Sequence, residues 1–388
     1  MKQLSKMMLA AVASVALATS AYAWDFSASG SSSAKFVQKT VAPAEGDATT
    51  TANFSSSAGG VSITSSNSDG ANSATLTYSL DFDADSADLD LNESVAVSGS
   101  KKVGAWTASS ATTQYIQKDA DATGARTMGA DGSAVITLTD GSITYKLGSA
   151  GHLSTAEKAV NGPMGGAQDA EARVGSFNGF SVGLGVGPGT LTVALDMHSG
   201  ATSVHMGEDL DSDGTGLDQA TACGADSTGF GLNFAGDVGA DLTFTYASGS
   251  SAAQADSCTG DASSNATSMS TMGLGVAVPV GGMSIALDYE ATTYGVTEDT
   301  VTDSKAVSGF ELSLTLPVGD ATAGVNVSST SSTETDDGEA ADPAVTAGTE
   351  LWYTVPIGAA SLSAGYGSAA VKDGSTTTEI GAKMSMSF

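Results

Sequence analysis

The chain has 388 residues, 48 of them Gly and only 6% aromatic, a composition that excludes a large close-packed soluble core. Charged residues make up 15% of the sequence, too few for a highly charged disordered chain. The balance of 14 basic against 43 acidic residues, net −29, excludes a nucleic-acid partner, because phosphate binding needs clustered Lys and Arg.

In chain order, residues 1–23 read as a secretory signal. Lys2 and Lys6 give the positive start, Met7 to Leu17 the apolar stretch, and Ala21-Tyr22-Ala23 a small-x-small cleavage site. The exported form is expected to begin at Trp24 and to carry −31 once Lys2 and Lys6 are removed. The apolar stretch is too short to cross a bilayer as a helix.

Strands are expected at 24–38, 51–65 and 71–82, then at 133–139 and 142–147 across an Asp140-Gly141 turn. Residues 91–99 and 102–117 have room for one extra hairpin, so the count is 16, or 18 if that hairpin forms. Eleven strands follow residue 173. Their short connections fall at 187–189, 236–237, 279–282, 317–320 and 356–359. The long, acidic ones fall at 199–227, 249–268, 295–305 and 331–344, with a shorter one at 372–375.

Period two dominates throughout. Leu191, Val193, Leu195 and Met197 alternate with Thr192, Ala194 and Asp196, and Met283, Ile285, Leu287 and Tyr289 with Ser284, Ala286, Asp288 and Glu290. Phe310, Leu312, Leu314 and Leu316 alternate with Glu311, Ser313 and Thr315. A soluble sandwich also alternates. Here the polar face is Ser, Thr, Gly and carboxylate, suited to a wet lumen, and short and long connections alternate, which favours an antiparallel transmembrane β-barrel with apolar side chains outward.

With that pattern the chain resembles the general porins of Gram-negative outer membranes. Ile380, Ala382, Met384, Met386 and terminal Phe388 alternate like the C-terminal strand by which such barrels are recognised by the barrel assembly machinery. Tyr145-Lys146-Leu147-Gly148, an irregular stretch 149–172, and Arg173 to Gly183 are similar to the strand, constriction loop and return strand of that family. The resemblance implies a loop folded into the bore, a homotrimer, and a sixteen-strand plan of five strands before the loop and eleven after.

On the inferred loop, Glu157, Lys158, Asp169, Glu171 and the flanking Lys146 and Arg173 are the candidate constriction charges. They also read as ordinary solvated loop charge, since the only Arg are Arg126 and Arg173, with Lys35, Lys101, Lys102 and Lys146 as substitutes. Asp196, Asp288, Glu290 and Glu311 are expected to make the lumen negative and cation-preferring.

Asp209, Asp211 and Asp213 before Gly214 open a D-x-D-x-D-G calcium pattern, but Ala220 stands where a bidentate Glu belongs and Asp218 replaces it only in part. A solvated charge run is the first reading and calcium the alternative; no cofactor is required. Cys223 and Cys258, in successive long connections of an exported chain, are expected to form a disulfide. His152, His198 and His205 are scattered and build no nucleophilic triad, so no enzyme is expected. Trp24, Trp106 and Trp352, with Tyr246, Tyr289, Tyr353 and Tyr366, are candidates for interfacial belts.

The expected function is a water-filled porin for passive diffusion of small hydrophilic solutes and ions. The alternative is a non-conducting surface barrel or exported adhesin whose acidic loops bind a partner or calcium.

Overall fold

The computed structural model describes residues 24–83, 90–117, 133–164, 177–201, 225–251, 266–298, 301–336 and 339–388. The signal segment, the calcium pattern at Asp209, Asp211, Asp213 and Asp218, the Cys223 and Cys258 pair, and Asp169, Glu171 and Arg173 lie outside the described residues.

The strands are β1 (Asp25–Ala42), β2 (Thr49–Ser68), β3 (Asn72–Asp83), β4 (Asp90–Val103), β5 (Trp106–Gln117), β6 (Ser133–Thr139) and β7 (Ile143–Ala150). After the irregular segment come β8 (Phe177–Val186), β9 (Gly189–Ala201), β10 (Ala225–Asp237), β11 (Asp241–Ser251), β12 (Ala266–Val280) and β13 (Met283–Glu298). The last are β14 (Val301–Val318), β15 (Ala321–Asp336), the two-residue β16 (Glu339–Ala340), β17 (Ala344–Ile357), β18 (Ala360–Val371) and β19 (Thr376–Ser387).

The fold is an up-and-down antiparallel β-barrel; β1 pairs with both β2 and β19, which leaves no free edge. Apart from β16, the described residues contain 18 strands, so the favoured count of 16 is corrected to 18. The added pair is the hairpin β4–β5, paired from Val103↔Trp106 through Val95↔Gln114.

Turn chemistry explains where these strands stop. After β4, β8, β12, β14 and β17 an aliphatic residue precedes a glycine with φ between 58° and 66°, at Gly104, Gly187, Gly281, Gly319 and Gly358. That left-handed region is open to Gly at no steric cost. At the β6–β7 turn Gly141 (φ 94°) is joined by Asp140, which accepts the N–H groups of Ser142 and Ile143, both at 2.9 Å.

Two expected long connections are mostly strand. β13 and β14 stay paired to Glu298↔Val301, and β15 runs on to pair Asp336 with Glu339, so 295–298, 301–305 and much of 331–344 extend the ladders. Their Thr and Val content suits a pleated surface.

The described residues fall into two compact units, Ser33–Ser56 with Thr139–Met386, and the remainder. In the larger unit the faces are sharply divided. Along β13, Ile285 and Leu287 are 40% exposed, whereas Asp288 and Glu290 are 0% and 1% exposed. Large apolar groups outside and carboxylates inside are unfavourable in water and favourable when the outer solvent is hydrocarbon. In the smaller unit the face opposite Leu76 and Tyr78 carries hydroxyl pairs across strands, Ser62 with Ser79 at 2.8 Å and Ser73 with Ser100 at 2.7 Å.

Candidate functional site

Residues 151–164 have no regular secondary structure, so their backbone N–H and C=O groups need partners from elsewhere. The inner wall of the larger unit supplies them. The segment starts on β7 and β8, crosses the wall, and reaches β18 and β19.

At its start His152 is buried, one ring nitrogen 2.9 Å from Ser181 Oγ and the other donating to the Gly148 carbonyl at 2.9 Å. Burial, followed by the charge of Lys146, holds this imidazole below its ordinary pKa, with the Gly148 bond acting the other way. Leu153 joins Ala194, Ala247, Met269 and Tyr294 in a small apolar cluster. It lies over Gly231, where a Cβ would collide with its side chain. The Ser154 carbonyl accepts from the Asn233 amide at 3.3 Å and from the Thr245 hydroxyl.

Asp288 is the central anchor. The Lys158 N–H lies 2.8 Å from both carboxylate oxygens and the Ala159 N–H donates to Oδ2 at 2.6 Å. Ionised acceptors make the stronger class of such bonds. Beneath the preceding turn of chain, Gly275 leaves room for the Ala156 carbonyl, which a Cβ there would overlap. The Lys158 ammonium reaches Asp241 at 2.9 Å, while Glu157 is exposed.

Next, the Val160 N–H donates to Ser313 Oγ at 2.9 Å, and the Asn326 amide donates to the Val160 carbonyl at 3.2 Å, to Asn161 Oδ1 at 2.9 Å and to Glu311. At the far end Glu350 takes the Gly162 N–H on Oε2 at 2.8 Å and the Met164 N–H on Oε1 at 2.7 Å. The Trp352 indole packs against Gly162 and over Gly324, where a Cβ would overlap the ring.

Of the expected site residues, Asp288 and Glu311 meet at this segment; Asp196 and Glu290 are buried on the same inner face, each 1% exposed. The cations beside the far anchor are Lys35, whose charge bears on Glu350, and Lys39, 3.8 Å from Glu379. Lys101 and Lys102 belong to the smaller unit. Trp352 is 8% exposed and faces inward, which removes it from the belts; Tyr289, Tyr353 and Tyr366 are exposed on the outer face. The sequence reading missed Glu350, Asn326, Asn233 and Ser313. Their parity signals them: each shares the inner face of its strand with Trp352, Ser328, Gly231 and Glu311 respectively.

The arrangement builds a fixed strap across a polar wall, held by carboxylate and amide side chains.

No protein family and no curated protein matches this sequence. Solved structures do match in fold. The outer membrane channel DcaP of Acinetobacter baumannii is similar with a TM-score of 0.53 at 10% identity, over 95% of this chain and 97% of that one. An anion-selective porin from Comamonas acidovorans is similar with a TM-score of 0.50 at 10% identity, over 94% of this chain and 100% of that one. At such identity the likeness is one of architecture: the chain has a porin-like β-barrel fold.

Proposed function

We propose that this chain forms a water-filled channel in an outer membrane, through which small hydrophilic solutes and ions diffuse passively, with no reaction catalysed and no cofactor required. The observation that carries the reading is the pinned segment 151–164. Anchoring an irregular segment on Asp288 and Glu350 across a polar inner wall narrows an aqueous passage without filling it with an apolar core. The inverted faces support a bilayer as the outer solvent.

Cation preference rests on charge. The protein is strongly acidic, and carboxylates buried behind the segment act on a passing ion through their field, with exposed Glu157 acting closer to the solution. Asp169, Glu171 and Arg173 complete the proposed constriction. Assembly as a homotrimer, with the C-terminal strand read by the barrel assembly machinery, follows from the porin resemblance.

Planar-bilayer recording of the purified, refolded chain tests this. Open-pore steps with a cation-selective reversal potential in a salt gradient are expected. A silent bilayer favours the non-conducting surface barrel, and an anion-selective pore removes the charge argument while leaving the channel.

A further inference from the structure

On the outer face of the larger unit, the apolar surface gives way abruptly to hydroxyls. Antiparallel register aligns Phe230 with Ser248, Ser248 with Ser270, and Ser270 with Thr293, one continuous rung across β10–β13. The next rung outward aligns Thr228 with Ser250 and Ser250 with Ser268. The rung on the other side is Leu232, Tyr246, Met272 and Ala291. Because the Ser and Thr side chains are short, the two hydroxyl rungs form a depression of about 540 Å³, floored by Gly229, Gly249 and Met269. That volume lies within the range of small-molecule sites.

The level of this depression matters. Ser248 and Ser250 lie seven and nine residues beyond Asp241 at the short-turn end of β11. That is about 18 and about 23 Å along the normal, for a rise of about 3.3 Å per residue and a tilt of about 40°. An outer apolar band is about 25 Å tall, so, counted from Asp241, the Ser250 rung lies at its upper edge, where head groups begin, and the Ser248 rung about 7 Å below it.

We propose that this depression binds the sugar head group of a membrane glycolipid. Six hydroxyls, each able to donate and accept, match a polyol, and Phe230 offers an apolar surface to sugar C–H groups. None of the lining residues is charged, which disfavours a phosphate head group at this site. The lipid tails continue over the Leu232, Tyr246 and Met272 rung. The assignment rests on the outer face being membrane-facing and is independent of conductance.

The test places the full chain in phosphatidylcholine nanodiscs containing monoglucosyl diacylglycerol and phosphatidylglycerol, and measures co-purifying lipid by native mass spectrometry. The glucolipid is expected to be retained in preference to phosphatidylglycerol. A Ser248→Leu/Ser270→Leu variant fills the depression and extends the apolar face, and Ser248→Ala/Ser270→Ala removes two hydroxyls without filling it. Each is expected to lose about tenfold in retention, the worth of two modest hydrogen bonds, while Ser329→Leu on β15 has no effect. Methyl glucoside separates the sources, since free sugar is expected to compete only weakly without the tails. Equal retention by the variants, no preference over phosphatidylglycerol, or full displacement by methyl glucoside overturns the proposal. Because retention is read on folded protein in lipid, a failure here leaves the channel reading intact.

Discussion

Asp288 Oδ2 accepts the backbone N–H of Ala159 at 2.6 Å, a bond between residues 129 positions apart in the chain. It fixes the middle of the irregular segment to β13 and sets what a single substitution there does.

Asp288→Ala removes the acceptor for the Lys158 and Ala159 N–H groups, and the loss is expected to weaken docking by roughly 1–3 kcal/mol. Amide hydrogen exchange over 156–161 is the readout. Faster exchange there with unchanged exchange in β12 and β14 is expected; unchanged protection of 156–161 contradicts the anchor.

Gly275→Val tests the same strap by sterics. The added side chain enters the space of the Ala156 carbonyl, so the segment must lift or β12 must shift. Limited proteolysis between 151 and 164 is expected to accelerate in folded, detergent-solubilised protein. Equal cleavage rates for variant and wild type count against close packing at this point.

These two residues also mark how far the sequence was readable. The alternation of 283–290 put Asp288 on the inner face from parity alone, but its partner was hidden: an irregular segment has no period, so nothing in 151–164 announces which wall residue each N–H meets. Gly275 sits in the Leu274-Gly275-Val276 stretch, where a small residue fits equally well as a kink or a packing gap. The β4–β5 hairpin was ambiguous because residues 107–113 of β5 are Thr, Ala and Ser on both faces and so show no apolar alternation, although Val103-Gly104 repeats the turn signal of Val186-Gly187 and Val318-Gly319. Trp352 misled because an aromatic residue in a barrel strand suits a membrane boundary, whereas here Gly324 opens an inner recess for it. The hydroxyl rungs became visible only through register, which pairs residues such as Ser248 and Ser270 that are far apart in sequence.

His152 gives the pH dependence of the segment's start. Burial is the first cause of its lowered pKa, so the folded state takes up a proton less readily than the unfolded chain, whose His titrates at about 6.5. The docked arrangement is therefore fully favoured above that pH and weakens as pH falls through it toward the lower folded value. Hydrogen exchange at 151–155, corrected for intrinsic rates, is expected to rise on acidification, and His152→Gln is expected to abolish that change. Persistence of the full change in the variant assigns it to another group.

Charge exchange at Glu157 tests selectivity. The residue is exposed on the segment, so Glu157→Lys is expected to move the reversal potential toward anions with little change in stability. No movement in low salt, where screening is weakest, contradicts a role for this residue in the field.

The most direct measurement is the single-channel conductance of wild type beside the Asp288→Ala/Glu350→Ala double variant. Discrete open steps in wild type and larger, noisier steps in the variant are expected, since both carboxylate anchors of the strap are gone. Steps of identical size, from a variant that exchange data show to have released the segment, would contradict a strap that narrows the bore.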